Sequence, residues 1–132
     1  MPLKLVNATE LRPGTYAVIE NAPCVIKSVD ISKTGKHGAS KCRIEAIGII
    51  DEKKRITVMP GSERVEIPLI EKRRAQVLSF DKQNAKANAM DLENFETIDL
   101  KVSSDLLDNL KENDQVEYWN VEGGQKIIKR KI

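Results

Sequence analysis

The sequence predicts an all-β protein of two small barrels. Three observations point there: apolar residues recur with period two, turn signals separate the runs, and the second half orders its elements strand, strand, strand, short helix, strand, strand. That order is the order of an OB-type barrel. The short strands that precede it, punctuated by Pro and Gly, read as an SH3-like barrel.

The turn signals fall at Arg12-Pro13-Gly14, Asn21-Ala22-Pro23, Gly35 to Gly38, Asp51 to Lys54, Pro60-Gly61-Ser62, Asp81 to Asn88 and Gly123-Gly124. Between them, Val25 to Ile31 and Cys42 to Ile50 are strand-like. Within the second of these, Cys42, Ile44 and Ala46 point one way and Arg43 and Glu45 the other. Val65, Ile67 and Leu69 alternate with Glu66 and Pro68. The OB half places strands at Ala75 to Phe80, Met90 to Glu93, Thr97 to Val102, Val116 to Val121 and Lys126 to Ile132. A two-turn helix is expected over Asp105 to Lys111, with Leu106, Leu107 and Leu110 on one face and Ser104 as N-cap. Asp105 would sit favourably at the positive end of its dipole. A boundary falls naturally near Ile70-Glu71, giving an SH3-like domain over 1–70 and an OB domain over 71–132.

The chain of 132 residues has 40% hydrophobic and 32% charged residues, which suits a folded chain. Its formal charge of +2 is too small to mark a nucleic-acid or membrane partner by bulk electrostatics. Two cysteines, Cys24 and Cys42, and the single histidine His37 fall short of the about four ligands that a closed zinc site takes. The cysteines read as reduced core residues of a cytoplasmic protein, not as a redox pair. No run approaches the ~20 apolar residues of a membrane helix, and no metal, membrane or DNA partner is expected.

The charge is unevenly placed. In the segment Ser32 to Lys41, and in the strands that lead into and out of it, Lys27, Lys33, Lys36, Lys41 and Arg43 face a lone Asp30. Gly35 and Gly38 permit a tight bend that presents Lys36 and His37 at the tip of a long hairpin. A solvated tip is one reading. A Walker A phosphate loop is excluded, because G-x-x-x-x-G-K-[ST] would need glycine at Asp30 and Ser or Thr at His37. Catalysis by His37 with Cys42 or Lys36 lacks a carboxylate to orient the imidazole. Contact with RNA phosphates fits the charge without specifying it.

The run Ser32-Lys33-Thr34-Gly35-Lys36-His37-Gly38, with Lys41 close behind, resembles the modification loop of the hypusine-containing translation factors, eukaryotic and archaeal initiation factor 5A. Leu11-Arg12-Pro13-Gly14-Thr15-Tyr16 and Asn21-Ala22-Pro23-Cys24 look like family turns. Ile70 to Val77 looks like the domain junction of archaeal members, and the length also points to the archaeal type. Ser40, where alanine is usual, and Thr34, where many archaeal members have proline, depart from the pattern.

The resemblance implies that Lys36 is a modification site and not a catalyst. A separate NAD-dependent enzyme, deoxyhypusine synthase, transfers an aminobutyl group from spermidine to this lysine, giving deoxyhypusine and, once hydroxylated, hypusine; the chain itself needs no cofactor. It also implies binding near the ribosomal E site. There the modified side chain approaches the acceptor end of peptidyl-tRNA and promotes peptide-bond formation at stalled sequences such as consecutive prolines. The bacterial elongation factor P is a related solution. Lys27, Arg43, Lys72, Arg73 and Arg74 are candidate contacts to rRNA. The alternative is a general RNA-binding or RNA-chaperone OB module without modification, working through Tyr118 or Trp119, one of which must face in and the other out.

Overall fold

The computed structural model describes residues 4–34, 39–121 and 124–132. The chain divides into two compact units, Met1–Leu69 and Ile70–Ile132. The protein is nearly all β, as the alternation predicts.

In the first unit, β1 (Lys4–Asn7) leads through a 3₁₀ turn (Ala8–Glu10) to β2 (Tyr16–Ile19), β3 (Ala22–Thr34), β4 (Ala39–Gly48), β5 (Lys54–Pro60) and β6 (Arg64–Ile67). Strands β2, β3, β4 and β5 form an antiparallel meander, and β1 pairs with β6. The turn signals act through their backbone angles. Gly14 has φ +87°, which a type II turn with Pro13 ahead of it requires, and the Thr15 amide donates to the Arg12 carbonyl at 3.2 Å. The β2–β3 connection is two residues, Glu20 and Asn21, both with positive φ, the geometry that matches strand twist in a tight hairpin.

Alternation builds the core. Ala17, Ile19, Cys24, Ile26, Cys42, Ile44, Ala46 and Val65 are buried together with Ala8 and Leu11. Cys24 and Cys42 are free thiols within this cluster, and burial pushes both up from their ordinary pKa. They pack as small apolar side chains. The alternation proposed for Val65, Ile67 and Leu69 stops at Ile67, where β6 ends; Pro68 is buried and Leu69 exposed.

Strand β3 changes phase partway along. Ile26 lies opposite Ala46 and Ser28 opposite Glu45, so Lys27 is an extra, bulged residue. Before the bulge the even-numbered Cys24 and Ile26 face the core. Beyond it the odd-numbered Val29 and Ile31 lie opposite the buried Ile44 and Cys42.

The second unit contains β7 (Ile70–Asp81), β8 (Lys86–Asp91), β9 (Thr97–Val102), β10 (Gln115–Val121) and β11 (Gln125–Lys131). They close in the order β10, β11, β9, β8, β7, which returns to β10, and only β11 with β9 is parallel. This is the ring of an OB barrel. Its core is Ala75, Val77, Ala87, Ala89, Leu100, Val102, Leu110, Val116, Tyr118 and Ile128.

Two sequence expectations are corrected here. The helix over Asp105 to Lys111 is a 3₁₀ turn, Ser104–Leu106, followed by further turns, and its N-cap is Ser103, not Ser104. Leu106, Asn109 and their neighbours mostly bond three residues back, and the Ser103 hydroxyl donates to Asp105 at 2.6 Å. Asp and Asn are poor helix formers, and so short a helix has little stability of its own. The three leucines still reach the barrel core as the periodicity requires. The second strand runs over Lys86–Asp91 instead of Met90 to Glu93. Its inward residues are Ala87, Ala89 and Asp91, two small side chains and a carboxylate, which do not read as an apolar stripe.

Candidate functional site: the basic hairpin and the junction cluster

The hairpin is more regular than a ten-residue loop. Ser32 lies opposite Lys41, Lys33 opposite Ser40 and Thr34 opposite Ala39, so six of the ten positions between Ser32 and Lys41 are strand. Gly35, Lys36, His37 and Gly38 lie outside the described residues. What is described is therefore the stalk that leads to Lys36.

That stalk is braced from the third strand. Lys41 pairs with Pro60 of β5, and the Gly61 amide donates to the Ser40 carbonyl at 2.9 Å. A Cβ on Gly61 would lie 2.1 Å from Ser40 Oγ and 2.8 Å from Thr9 Cγ2, so a larger residue there would have to push both side chains aside where the β5–β6 turn closes over Ser40. Ser40, one of the two departures from the family pattern, thus sits near the distal end of the paired strands, opposite Lys33. Lower down, Asp51 accepts two bonds from the Arg55 guanidinium, at 3.0 and 2.6 Å, which hold its carboxyl at about 2. This clamp fits over Gly48, the last residue of β4.

The stalk's charges are not equivalent. Lys27, Lys33 and Lys41 are exposed. Arg43 is bound 3.0 Å from Glu45 and 3.9 Å from Asp30 on the same face of the sheet, so its charge is matched locally. This weakens it as a phosphate contact. The lysines remain the cations through which the hairpin presents positive charge.

Lys72, Arg73 and Arg74 do not form one basic patch, because they belong to β7 and alternate across it. Arg73 turns to Asp91, donating from Nε at 2.7 Å and from Nη2 at 3.2 Å, and also meets Glu71 at 3.3 Å and Glu93 at 3.2 Å. Its side chain is 19% exposed. A guanidinium shared among three carboxylates is a brace of the barrel, and its charge is matched within the chain. Lys72 on the opposite face lies 4.6 Å from the Trp119 ring centroid, with Lys129 at 5.9 Å. Arg74 is exposed.

The network around Asp91 escaped sequence reasoning. Asp91 is 1% exposed, accepts the Tyr118 hydroxyl and the two Arg73 nitrogens, and also takes the Glu93 and Asn94 amides at 2.7 and 3.2 Å. Arg73 above all holds its carboxyl well below the usual carboxylate range, against the cost of burial. Burial, helped by the Asp91 charge, pushes the Tyr118 phenol up to about 12. The only sequence signal was the alternation of Asp91 with Ala87 and Ala89.

Tyr118 faces in and Trp119 faces out, as their adjacency on a strand requires. On the outer face of β7, β8 and β9 a groove of about 550 Å³ is lined by residues such as Asn84, Lys86, Asn88, Asp99 and Lys101, none of its lining residues being aromatic. A general single-strand binder stacks bases on aromatic platforms, and this groove has none. Among the described residues no cluster of His, Cys, Asp or Glu is placed to hold a metal, and no helix is long and apolar enough to cross a membrane.

Comparison with known proteins matches both halves. Residues 4–63 match the family described as translation initiation factor 5A-like, N-terminal. The translation initiation factor 5A of Archaeoglobus fulgidus is 43% identical over 122 residues, covering 92% of this chain and 94% of the relative. That of Thermoplasma acidophilum is 45% identical over 119 residues, covering 90% and 91%. Among solved structures, the eukaryotic translation initiation factor 5A from Methanococcus jannaschii superimposes with a TM-score of 0.84 at 37% identity, over 98% of this chain and 94% of that one. An SH3-like unit with a basic hairpin, joined to an OB barrel and similar to these proteins throughout, defines a two-barrel translation factor. The chain belongs to the translation initiation factor 5A family, of the archaeal type.

Proposed function

We propose that this translation factor works on the ribosome through a modified Lys36. In this reading, deoxyhypusine synthase extends the lysine with the aminobutyl group of spermidine, giving deoxyhypusine or hypusine. The lengthened side chain reaches the acceptor end of peptidyl-tRNA near the E site. There it promotes peptide-bond formation, notably at consecutive prolines. The factor acts in the cytoplasm and contributes positioning, while the ribosome supplies the catalytic centre.

The observation that carries the reading is Lys36 itself, within Ser32-Lys33-Thr34-Gly35-Lys36-His37-Gly38, continuous with a hairpin paired as far as Thr34 and Ala39. A two-stranded stalk is slender enough to enter an RNA-lined cavity that excludes a barrel. Its exposed lysines, Lys27, Lys33 and Lys41, suit phosphate neighbours. The added chain lengthens the reach of Lys36 and adds a second protonatable nitrogen.

Peptide mapping of protein from growing native cells tests this directly. Lys36 is expected to carry the added mass of the aminobutyl group, with or without one oxygen, and an unmodified Lys36 overturns the reading. Lys36→Arg keeps the charge and a long side chain and should melt at nearly the wild-type temperature, yet lose both modification and stimulation of proline-rich synthesis.

A further inference from the structure

The turn between β8 and β9 displays a large apolar side chain on an unusually well-bonded backbone. Phe95 is 68% exposed and has φ +62°, the left-handed region that a bulky residue rarely adopts. Nothing in its own packing accounts for the strain, since the ring is mostly in solvent. Asparagine or glycine would take this position at lower cost.

The turn holds Phe95 there by using every amide from Asp91 to Glu96. The Asp91 amide donates to the Glu96 carbonyl at 2.9 Å, and the Phe95 amide to the Asp91 carbonyl at 2.8 Å. The Glu93 and Asn94 amides donate to Asp91 Oδ1, the Glu96 amide to Asn94 Oδ1 at 2.9 Å, and the Leu92 amide to the Arg74 carbonyl at 3.0 Å. Asp91 is itself fixed by Arg73 and Tyr118. The exposed ring is therefore preorganised from the barrel core outward. Strained backbone held this firmly at a surface points to a function, and a rigid aromatic side chain is a common anchor of an interface.

Charge decides the kind of partner. The turn carries three carboxylates, Asp91, Glu93 and Glu96, and no cation of its own. Of the neighbouring β7 cations, Arg73 is already bound to Asp91 and Glu93, and Arg74 is exposed beside the turn. A base stacked on Phe95 would bring its phosphates against Glu93 and Glu96. A protein pocket with an apolar floor and a Lys/Arg rim meets both features favourably.

We propose that Phe95 is the anchor of a protein-docking tip, and that its partner is a ribosomal protein presenting an apolar pocket rimmed by basic residues. The identity of the partner rests on the ribosome-binding reading above. Purified archaeal ribosomes are the probe, titrated by co-sedimentation with wild-type protein, Phe95→Asn and Glu96→Lys. In parallel, p-benzoylphenylalanine placed at position 95 is photo-cross-linked on the same ribosomes.

Phe95→Asn is expected to melt at or above the wild-type temperature and to bind at least tenfold more weakly. Glu96→Lys is expected to weaken binding, and the cross-link to fall on a ribosomal protein. Phe95→Gly repeats the first arm should the asparagine variant fold poorly. Wild-type affinity in Phe95→Asn or Phe95→Gly overturns the docking tip and leaves the ribosome reading standing. A cross-link to rRNA or tRNA, or none, or tighter binding by Glu96→Lys, overturns the protein partner. Failure of the wild-type protein to co-sediment overturns both.

Discussion

Replacing Tyr118 by Phe removes one hydroxyl from the inside of the OB barrel and leaves the ring's volume in place. The side chain is 2% exposed, and its hydroxyl donates to a carboxylate that is 1% exposed. A hydrogen bond to a charged group contributes about 1.5–3 kcal/mol net. For a domain of this size each kcal/mol moves the melting temperature by roughly 4–8 °C, so Tyr118→Phe should melt on the order of 10 °C lower. The effect should also depend on pH. Because the folded-state pKa of Asp91 is depressed, the stability it contributes is present above the unfolded value of about 3.9 and is lost as pH falls below it. Wild type and variant should therefore differ most at neutral pH and converge in acid. Thermal denaturation followed by circular dichroism at several pH values measures both. A melting temperature within about 2 °C of wild type, or a gap unchanged down to strong acid, would refute the assignment. Loss of RNA or ribosome affinity in folded Tyr118→Phe would place the tyrosine at a binding surface instead.

Other expectations follow from the same geometry. Gly61→Ala forces a methyl against Ser40 and Thr9 and should cost about 1–3 kcal/mol, with faster amide exchange at Gly61, whose N–H bonds to Ser40. Gly48→Ala would place its Cβ 1.9 Å from Asp51 Oδ1 and 2.8 Å from Arg55 Nη1, and chemical denaturation should show a similar loss of about 1–3 kcal/mol. Asp51, held at about 2, should contribute to stability above an unfolded value of about 3.9 and lose that contribution as pH falls toward 2; Asp51→Asn should flatten this part of the acid profile. In alkaline ultraviolet titration, Tyr118 should stay protonated until about 12, and ionisation at an ordinary tyrosine value would show that its ring is accessible.

Where a strand buries one apolar face, it was legible from its residues. Cys42, Ile44 and Ala46, alternating with Arg43 and Glu45, announce β4, and Ile98, Leu100 and Val102, alternating with Asp99 and Lys101, announce β9, because apolar and charged side chains in strict alternation have one solution. Strand β8 hid for the opposite reason: alanines and an aspartate fill its inward positions, and no hydropathy pattern marks a carboxylate that is buried with its own arginine. The arrangement of the basic triplet Lys72-Arg73-Arg74 was hidden for a related reason. Along the sequence it is one patch, whereas on β7 its middle member faces away from the other two, toward Asp91. The lysine-bearing run stands out because its composition is local, while the strained turn at Phe95 depends on backbone angles and long-range hydrogen bonds that no linear pattern carries.

The bulge at Lys27 links distant parts of the hairpin by parity. Side chains on a strand alternate, so one extra residue turns over everything beyond it until the pairing ends. Straightening the bulge, so that Lys27 joins the regular alternation, would leave the lysine-bearing run untouched letter for letter, yet it would invert the distal stalk. Asp30 and Ser32 would move to the side now held by Val29 and Ile31. A change of pairing well upstream could thus silence the hairpin by aiming it wrongly, with its composition and charge intact.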